Sequence, residues 1–180
     1  SAVTYSGNVD FGQVPVIDNN LADDFNHLRL RFFLAGGALS ADAPSGPNQP
    51  SNFLFDPERP VPTVGGNISS GQPVMSLGGF DQRESEEFFG SEEPYLPLTA
   101  RPDVVVFQTG PLAEDGEITG PVSVQLWISS NAVDTDFTAK LVDVYPSSVD
   151  YPEGYALNLT DGIFRVKFRD SWEQAELMEP

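Results

Sequence analysis

Glycine and proline recur so often in this chain that they leave little room for long helices. The sequence holds 16 Gly and 16 Pro in 180 residues, and the apolar runs between them are short and rich in Val, Phe, Ile and Leu. Short apolar runs bounded by turn residues are typical of strands. A chain of this length is sufficient for one domain with a full-sized core. The sequence therefore predicts one mostly β domain with appendages.

Strand signals arrive at regular intervals in the second half of the chain, at residues 103–109, 122–129, 137–145 and 163–169. From Val122 to Ser129 the apolar residues occupy alternate positions, as they do in a strand with one buried face. Trp127 falls on the opposite face of that strand. Regularly spaced strands of this kind indicate a sandwich or a barrel.

Two helices are predicted as well. From Leu21 to Phe33, apolar residues spaced four, three and four apart form the stripe of an amphipathic helix, with Asn20 as its cap. A second, shorter helix is predicted from Asp81, its cap, toward Phe88 and Phe89, with Gly90 as its end.

The charge of the chain excludes several classes of partner. A formal net charge of −18 repels a phosphate backbone and an anionic membrane surface, so no nucleic acid and no membrane partner is expected. No apolar stretch approaches the roughly 20 residues that span a bilayer. We expect a soluble domain, and the absence of cysteine leaves the compartment open between cytoplasmic and secreted.

Residues suited to nucleophilic catalysis are scarce, and none is assigned as catalytic. A serine hydrolase places its serine in a G-x-S-x-G elbow, and the nearest approximation, at Ser76 in PVMSLGG, has Val74 where the first glycine belongs. His27 is the single histidine, and its neighbours provide neither a nucleophile nor an orienting carboxylate. We therefore expect a loop serine and a surface or interface histidine.

No cofactor or metal is assigned either. One histidine and no cysteine make a zinc site improbable. Asp134 and Asp136 offer carboxylates at alternate positions, which suits calcium, but the further ligands and the glycine turn of an EF-hand are missing. The alternative is a turn in which these aspartates accept backbone N–H groups. Whether calcium binds here stays open.

A series of longer motifs, in a fixed order, is more specific than any of these single residues. They are FDPERPVPTVGG at residues 55–66, GGFDQRESEE at 78–87, DVVVFQTGPL at 103–112, EITGPVSVQLWISSNAVDTDFTAKLVDVYP at 117–146 and DGIFRVKFRDS at 161–171. Together they resemble the C-terminal part of the serine hydrolase group that contains cocaine esterase, α-amino acid ester hydrolase and X-prolyl dipeptidyl-peptidase.

The resemblance implies a jelly-roll, galactose-binding-like β-sandwich packed against an α/β-hydrolase domain of the same parent chain. Residues 1–33 are then expected to be the tail of the α/β-hydrolase domain, including its short helical segment. Residues 34–180 are expected to be the jelly roll, incomplete at its C-terminal end. Relative to that group, a segment is expected to be missing between Phe33 and Leu34. The group's catalytic Ser, Asp and His all precede this region, so none is transferred here.

The function implied by the resemblance is that of a non-catalytic domain that shapes and stabilises the active site of a serine hydrolase for esters or Xaa-Pro peptides. Trp127, Phe88 and Phe89 are the residues expected at the interdomain interface, because strand phase or local polarity leaves them outside the core. The alternative is a free-standing carbohydrate-binding or structural β-sandwich module. Activity of the chain itself and a homo-oligomer both stay open.

Overall fold

The computed structural model of the chain describes residues 2–15, 27–46, 49–66, 79–116, 118 and 122–179. Strands dominate these residues, and helical structure is limited among them to two 3₁₀ turns, Leu98–Ala100 and Val166–Phe168. The mostly β prediction is confirmed, and the strand content is consistent with a β-sandwich. The strands are β1 (Ala2–Pro15), β2 (His27–Ala35), β3 (Ala38–Ser40), β4 (Ser51–Leu54), β5 (Val122–Ser130), β6 (Asp136–Tyr145) and β7 (Tyr155–Arg165).

One compact unit consists of Ala2–Phe53 with Val105–Ser129. Its five-stranded sheet has the order β3-β2-β1-β4, and β5 also pairs with β1. Strands β1 and β2 are antiparallel, with Phe32 opposite Val9. Gly36 and Gly37 connect β2 to β3, and both have positive φ, which suits the tight turn between these strands.

The other compact unit consists of Leu54–Val104 with Ser130–Pro180. Strands β6 and β7 form its two-stranded antiparallel sheet, from Asp136 opposite Arg165 to Tyr145 opposite Tyr155. The segment around Asp81 lies along β7, opposite Leu157. Among the described residues of this unit, the buried apolar ones are Val64, Leu98 and Val166.

The predicted helix at residues 21–33 is wrong from His27 onward, because β2 occupies that part. Residues 21–26 lie outside the described residues. Leu28, Leu30 and Phe32 alternate with Arg29 and Arg31, which is the period-two pattern of a strand. Pairing with β1 on one side and β3 on the other favours this period over the helical one.

The predicted short helix from Asp81 to Phe89 is also wrong. Asp81 pairs with Leu157 and Arg83 pairs with Pro97 as isolated bridges, which keeps this backbone extended. Only its end turns, where Gly90 has a φ of 85°. Gly90 therefore does mark a stop, although it ends a turn and not a helix.

Two of the four predicted strands, at 122–129 and 137–145, are confirmed as β5 and β6. The one predicted at 163–169 overlaps only the end of β7, since residues 166–168 form a 3₁₀ turn. The one predicted at 103–109 contains no named strand. Its single pairing is a bridge from Gln108 to Ala38.

Strand β2 runs through Phe33 and Leu34 without interruption, and the missing segment expected between these two residues stays a prediction. Among the described residues no helix is long and apolar enough to traverse a lipid bilayer.

Candidate interdomain site

The guanidinium group of Arg101 contacts one residue from each of three motifs, at 55–66, 78–87 and 103–112. Arg101 Nε and Nη2 donate to the two carboxylate oxygens of Asp103 at 2.9 and 2.8 Å. Arg101 Nη1 donates to Glu84 Oε1 at 3.2 Å, and Nη2 also donates to the carbonyl oxygen of Arg59 at 2.8 Å. A single side chain thus connects three separate stretches of chain.

The positive charge of this guanidinium group is compensated by carboxylates in its largely buried position. The hydrogen bonds to Asp103 raise the pKa of Arg101 above its usual value, against the opposing effect of burial, and Glu84 adds to the increase. The planar fork of arginine suits two-point contact with a carboxylate. Four hydrogen bonds from Arg101 thus go to carboxylate or backbone carbonyl oxygens, which is the arrangement of a structural tie.

Gln82 of the DQR motif is a second structural tie. Its buried side-chain Nε2 donates to the carbonyl oxygens of Val64 and Phe80 at 3.1 and 3.3 Å. Its backbone N–H donates to Ala156 O at 3.0 Å, and its own carbonyl accepts from Leu98 N at 2.9 Å. Buried backbone groups require such partners, so Gln82 fixes the segment around residue 64 and strand β7 relative to each other.

Asp81 and Arg83, on either side of Gln82, extend this arrangement to the loop before β7. Asp81 Oδ1 accepts the backbone N–H of Ala156 at 2.9 Å. Arg83 Nη2 lies 2.8 Å from Glu153 Oε2, and Arg83 Nε lies 3.9 Å from Asp81 Oδ2. All three residues of DQR therefore hold the backbone or another motif segment.

The glycine pair of PTVGG is required by close packing. Gly65 and Gly66 have φ values of 67° and 89°, a region that other residues rarely adopt. A Cβ atom would lie 2.4 Å from the Phe80 ring at Gly65 and 2.0 Å from Asp161 Oδ2 at Gly66. Asp161 is itself paired with Lys140 Nζ at 3.0 Å.

Phe88 and Phe89, predicted for the interface, lie in adjacent but different environments. The Phe88 ring packs edge-on against Phe80, with centroids 6.3 Å apart, beside a cavity of about 310 Å³. Phe89 is 97% exposed. The turn that presents it is closed by a hydrogen bond from Ser91 N to Phe88 O at 3.1 Å. The backbone therefore holds an unburied aromatic side chain in place.

Trp127, the third residue predicted for the interface, lies in β5 and is 58% exposed. On the face predicted to be buried, Leu126 and Ile128 are half-buried but Val124 is 39% exposed, so the predicted burial of that face is observed only in part. Trp127 belongs to the unit of β5, whereas Phe88 and Phe89 belong to the other unit. The interface assignment of all three residues stays a prediction.

His27 is the first residue of β2 and pairs with Pro15, and Ser76 lies outside the described residues.

Asp136 binds Arg165 through both carboxylate oxygens at 2.7 Å each. Asp134 accepts the backbone N–H of Lys167 at 3.2 Å. The alternative for this turn, an aspartate that accepts a backbone N–H, is thus confirmed for Asp134.

Sequence reasoning missed the contribution of Arg101, Asp103 and Glu84. Arg101 and Asp103 are only two positions apart, but the contacts of Arg101 with Glu84 and with Arg59 O join residues 17 and 42 positions apart, which no local pattern indicates. The signal available was the order of the motifs themselves, since Glu84 lies in the motif at 78–87 and Asp103 begins the next one, at 103–112.

The motif side chains therefore define a class, a β-rich domain whose characteristic residues stabilise a scaffold. The model of the family described as the X-Pro dipeptidyl-peptidase C-terminal non-catalytic domain matches residues 30–180, and the chain belongs to this family. The chain is also similar to the cocaine esterase of Rhodococcus sp. (strain MB1 Bresler), at 39% identity over 144 residues, which are 80% of this chain and 21% of that esterase. The chain thus spans about a fifth of the length of that relative. No solved structure matches the chain.

Proposed function

We propose that this chain is the non-catalytic β-sandwich portion of a serine hydrolase and that it shapes and stabilises the active site of an α/β-hydrolase domain. One observation carries the proposal: residues 30–180 match a family described as non-catalytic and C-terminal. The similarity to a cocaine esterase supports the same assignment. In this proposal the catalytic groups come from the partner domain, and this chain supplies walls and contacts.

The substrate class is also part of the proposal, and the names of the matching family and of the similar esterase support it. One is named for an ester and the other for X-Pro peptides, and both substrates are acyl compounds. Acyl transfer needs a nucleophile, a base and oxyanion donors. In the proposal these are residues of the α/β-hydrolase domain, and we propose an ester or an Xaa-Pro peptide as the substrate.

Exposed aromatic side chains provide the contact surface in this proposal. Phe89 and Trp127 are 97% and 58% exposed. Aromatic residues contribute most to stability when they are buried in a core or an interface, and these two are not buried in the core. Aromatic residues are enriched among those that dominate binding energy. We propose that Phe88, Phe89 and Trp127 contact the catalytic domain.

The finer fold and the domain boundary belong to the same proposal. We propose a jelly-roll topology for residues 34–180, with residues 1–33 belonging to the end of the α/β-hydrolase domain. The family match begins at residue 30, close to this boundary. Strand β2 crosses it, so any junction between the domains would run through a paired strand.

The first experiment assays the isolated chain with 4-nitrophenyl esters and with Xaa-Pro 4-nitroanilides. We expect no hydrolysis, since the chain lacks an elbow serine. Activity that disappears in Ser76→Ala or His27→Ala would overturn the proposal.

The second experiment uses the parent protein, with its α/β-hydrolase domain, and compares Phe89→Ser and Trp127→Ser with the control Leu177→Ser. Leu177 is 57% exposed and is not assigned to the interface. We expect the first two variants to lower kcat/KM or the temperature of inactivation, while the control resembles the wild type. Unchanged parent enzyme together with oligosaccharide binding by the chain alone would favour the carbohydrate-binding alternative.

A further inference from the structure

The β6–β7 hairpin ends in a group of exposed aromatic and aliphatic side chains that the proposed interface does not use. We name residues 145–155 the hairpin tip. Val149 is 97% exposed, and Tyr145 and Tyr151 are each about half exposed. Tyr145 is paired with Tyr155 across the two strands, and the rings of Tyr151 and Tyr155 lie 4.8 Å apart. Three tyrosines and a valine thus lie together at one end of the sheet.

The hairpin tip is held in one conformation by its own hydrogen bonds. Ser148 N donates to Tyr151 O at 2.9 Å, and Tyr151 N donates back to Ser148 Oγ at 3.0 Å. Gly154 N also donates to Tyr151 O at 2.9 Å, and Gly154 has a φ of 79°. A loop that is already ordered loses little conformational entropy when it binds. The exposed tyrosines are therefore suited to form a contact surface.

An ion pair connects the hairpin tip to the rest of its unit. Glu153 Oε2 lies 2.8 Å from Arg83 Nη2, and Arg83 belongs to the DQR motif. The same motif therefore supports the hairpin tip and the scaffold. Because the Glu153 side chain is 76% exposed, this pair contributes little to stability, and the tip is joined to its unit mainly by the β6–β7 ladder, in which Tyr145 pairs with Tyr155.

The charges around the hairpin tip specify the chemistry of its partner. Asp143, Asp150 and Glu153 are acidic, and Arg83 is the one cationic residue that the structure shows paired with them. The neighbouring carboxylate of Asp143 raises the pKa of the Tyr145 hydroxyl. Tyrosine faces attract ammonium and guanidinium groups, and carboxylates do the same. A surface with lysine or arginine beside apolar groups is thus complementary to this tip.

Two other occupants fit less well. A second copy of this chain has the same net charge of −18, so self-association brings like charges together. A sugar ring stacks on a flat aromatic platform, whereas the rings of Tyr151 and Tyr155 are tilted by 56°. The protruding Val149 also offers no hydrogen bond to a sugar hydroxyl.

We infer that the hairpin tip is a docking surface for a lysine- or arginine-bearing surface of the α/β-hydrolase domain of the parent protein. This inference rests on the proposed function, which supplies the partner. It adds a second contact, chemically different from the one assigned to Phe88, Phe89 and Trp127. It also makes the contact depend on ionic strength, because exposed charge pairs are screened by salt.

The test places a photo-reactive phenylalanine, p-benzoyl-phenylalanine, at Tyr151 of the parent protein and identifies cross-linked peptides by mass spectrometry. We expect a cross-link to a peptide of the α/β-hydrolase domain that contains Lys or Arg. Its yield should fall several-fold between about 0.05 M and about 0.5 M NaCl, as the Debye length shortens. The same group at Leu177 is the matched control and should give no such cross-link. Position 149 provides a second site, because Val149 makes few contacts that a larger side chain would disturb.

A cross-link to a second copy, a yield equal to that of the Leu177 control, or loss of the cross-link on adding an oligosaccharide would each overturn the inference. These outcomes differ from failure of the proposed function. If the Phe89 and Trp127 variants impair the parent enzyme while the tip gives no specific cross-link, the proposed function stands and only this docking surface is wrong. If those variants leave the enzyme unchanged, the proposed function itself is contradicted.

Discussion

Replacing Arg101 with methionine should destabilise the domain strongly. Methionine retains apolar side-chain volume but removes all the donors that Asp103, Glu84 and Arg59 O accept. The side chains of Asp103 and Glu84 are 6% and 9% exposed, and that of Arg101 is 16% exposed. Removing one partner of a buried ion pair costs about 3–5 kcal/mol. Because Arg101 keeps some contact with solvent, we expect about 3 kcal/mol, which is a large part of the roughly 5–15 kcal/mol that stabilises a typical domain.

Arg59→Met is the matched control, since it removes the same side chain from an exposed pair. Arg59 and Glu92 are 64% and 55% exposed, and exposed pairs contribute about 0–1 kcal/mol. Urea unfolding followed by circular dichroism gives both free energies, and an unchanged m-value would show that the same transition is compared. Adding Asp103→Asn to Arg101→Met should recover part of the loss, because it removes one uncompensated charge. Equal losses in Arg101→Met and Arg59→Met would refute the reasoning.

Three further predictions follow from single contacts or from the total charge. Gly66→Ala should lower the free energy of unfolding in urea more than Gly90→Ala does. Both glycines have positive φ, so the backbone strain is common to both variants and should cost about 1 kcal/mol in Gly90→Ala, but only at Gly66 would the added Cβ lie 2.0 Å from Asp161. Equal urea midpoints for the two variants would contradict this. The hydrogen bond from Arg165 lowers the pKa of Asp136 in the folded state. The pair therefore stabilises the fold fully above the pKa of an unfolded aspartate, about 3.9, and this stabilisation is lost as the pH falls through the lower pKa of the folded state. The stability difference between wild type and Arg165→Met should therefore close in acid, and a difference that persists at about pH 2 would count against the pair. Finally, the melting temperature should rise with NaCl because the net charge of −18 repels itself less when screened, and a falling curve would show that ion pairs dominate.

Strands with one buried face could be predicted from the sequence. The alternation in β5 leaves Trp127 exposed while Leu126 and Ile128 are half-buried. This pattern is local, because residues two apart share a face whatever the partner strand is. Strand β6 was predicted from the regular spacing of the strand signals, and its register shifts between Leu141 and Val142.

Elements whose local signals conflict could not be predicted in this way. In β7 the Asp161-Gly162 dipeptide is a turn signal, yet Lys140 pairs with Asp161, and Gly162 lies opposite Ala139 within the ladder. In β2 the sequence LRLRFF fits both a helical stripe and a strand alternation. Pairing with distant strands decides between the two, and the partner strands are not visible in the local pattern.

The candidate site was predictable only in part for a similar reason. Phe89 and Trp127 could be identified as exposed, because exposure follows from phase and local polarity. The contacts of Gln82 and Arg101 could not, since they join segments that are distant in sequence. Gln82 was indicated only by the motif at 78–87 in which it occurs, and Arg101, which lies between two motifs, was not indicated at all.

The position of the motif residues separates two roles within this domain. Catalytic side chains must reach a substrate, and therefore keep at least one polar atom directed toward a cleft. Gln82 and Arg101 instead direct their donors at backbone carbonyls and buried carboxylates, and Gly65 and Gly66 allow neighbouring side chains to approach. A motif of this kind maintains a shape, and in the proposed function the contact with a partner is left to residues outside the scaffold network, such as Phe89 and the hairpin tip. Arg83 connects the two roles, because it belongs to the motif and holds Glu153 of the tip. A domain that contributes surfaces to a partner needs this coupling, since a contact surface can position a neighbouring active site only if it is rigidly joined to its own core.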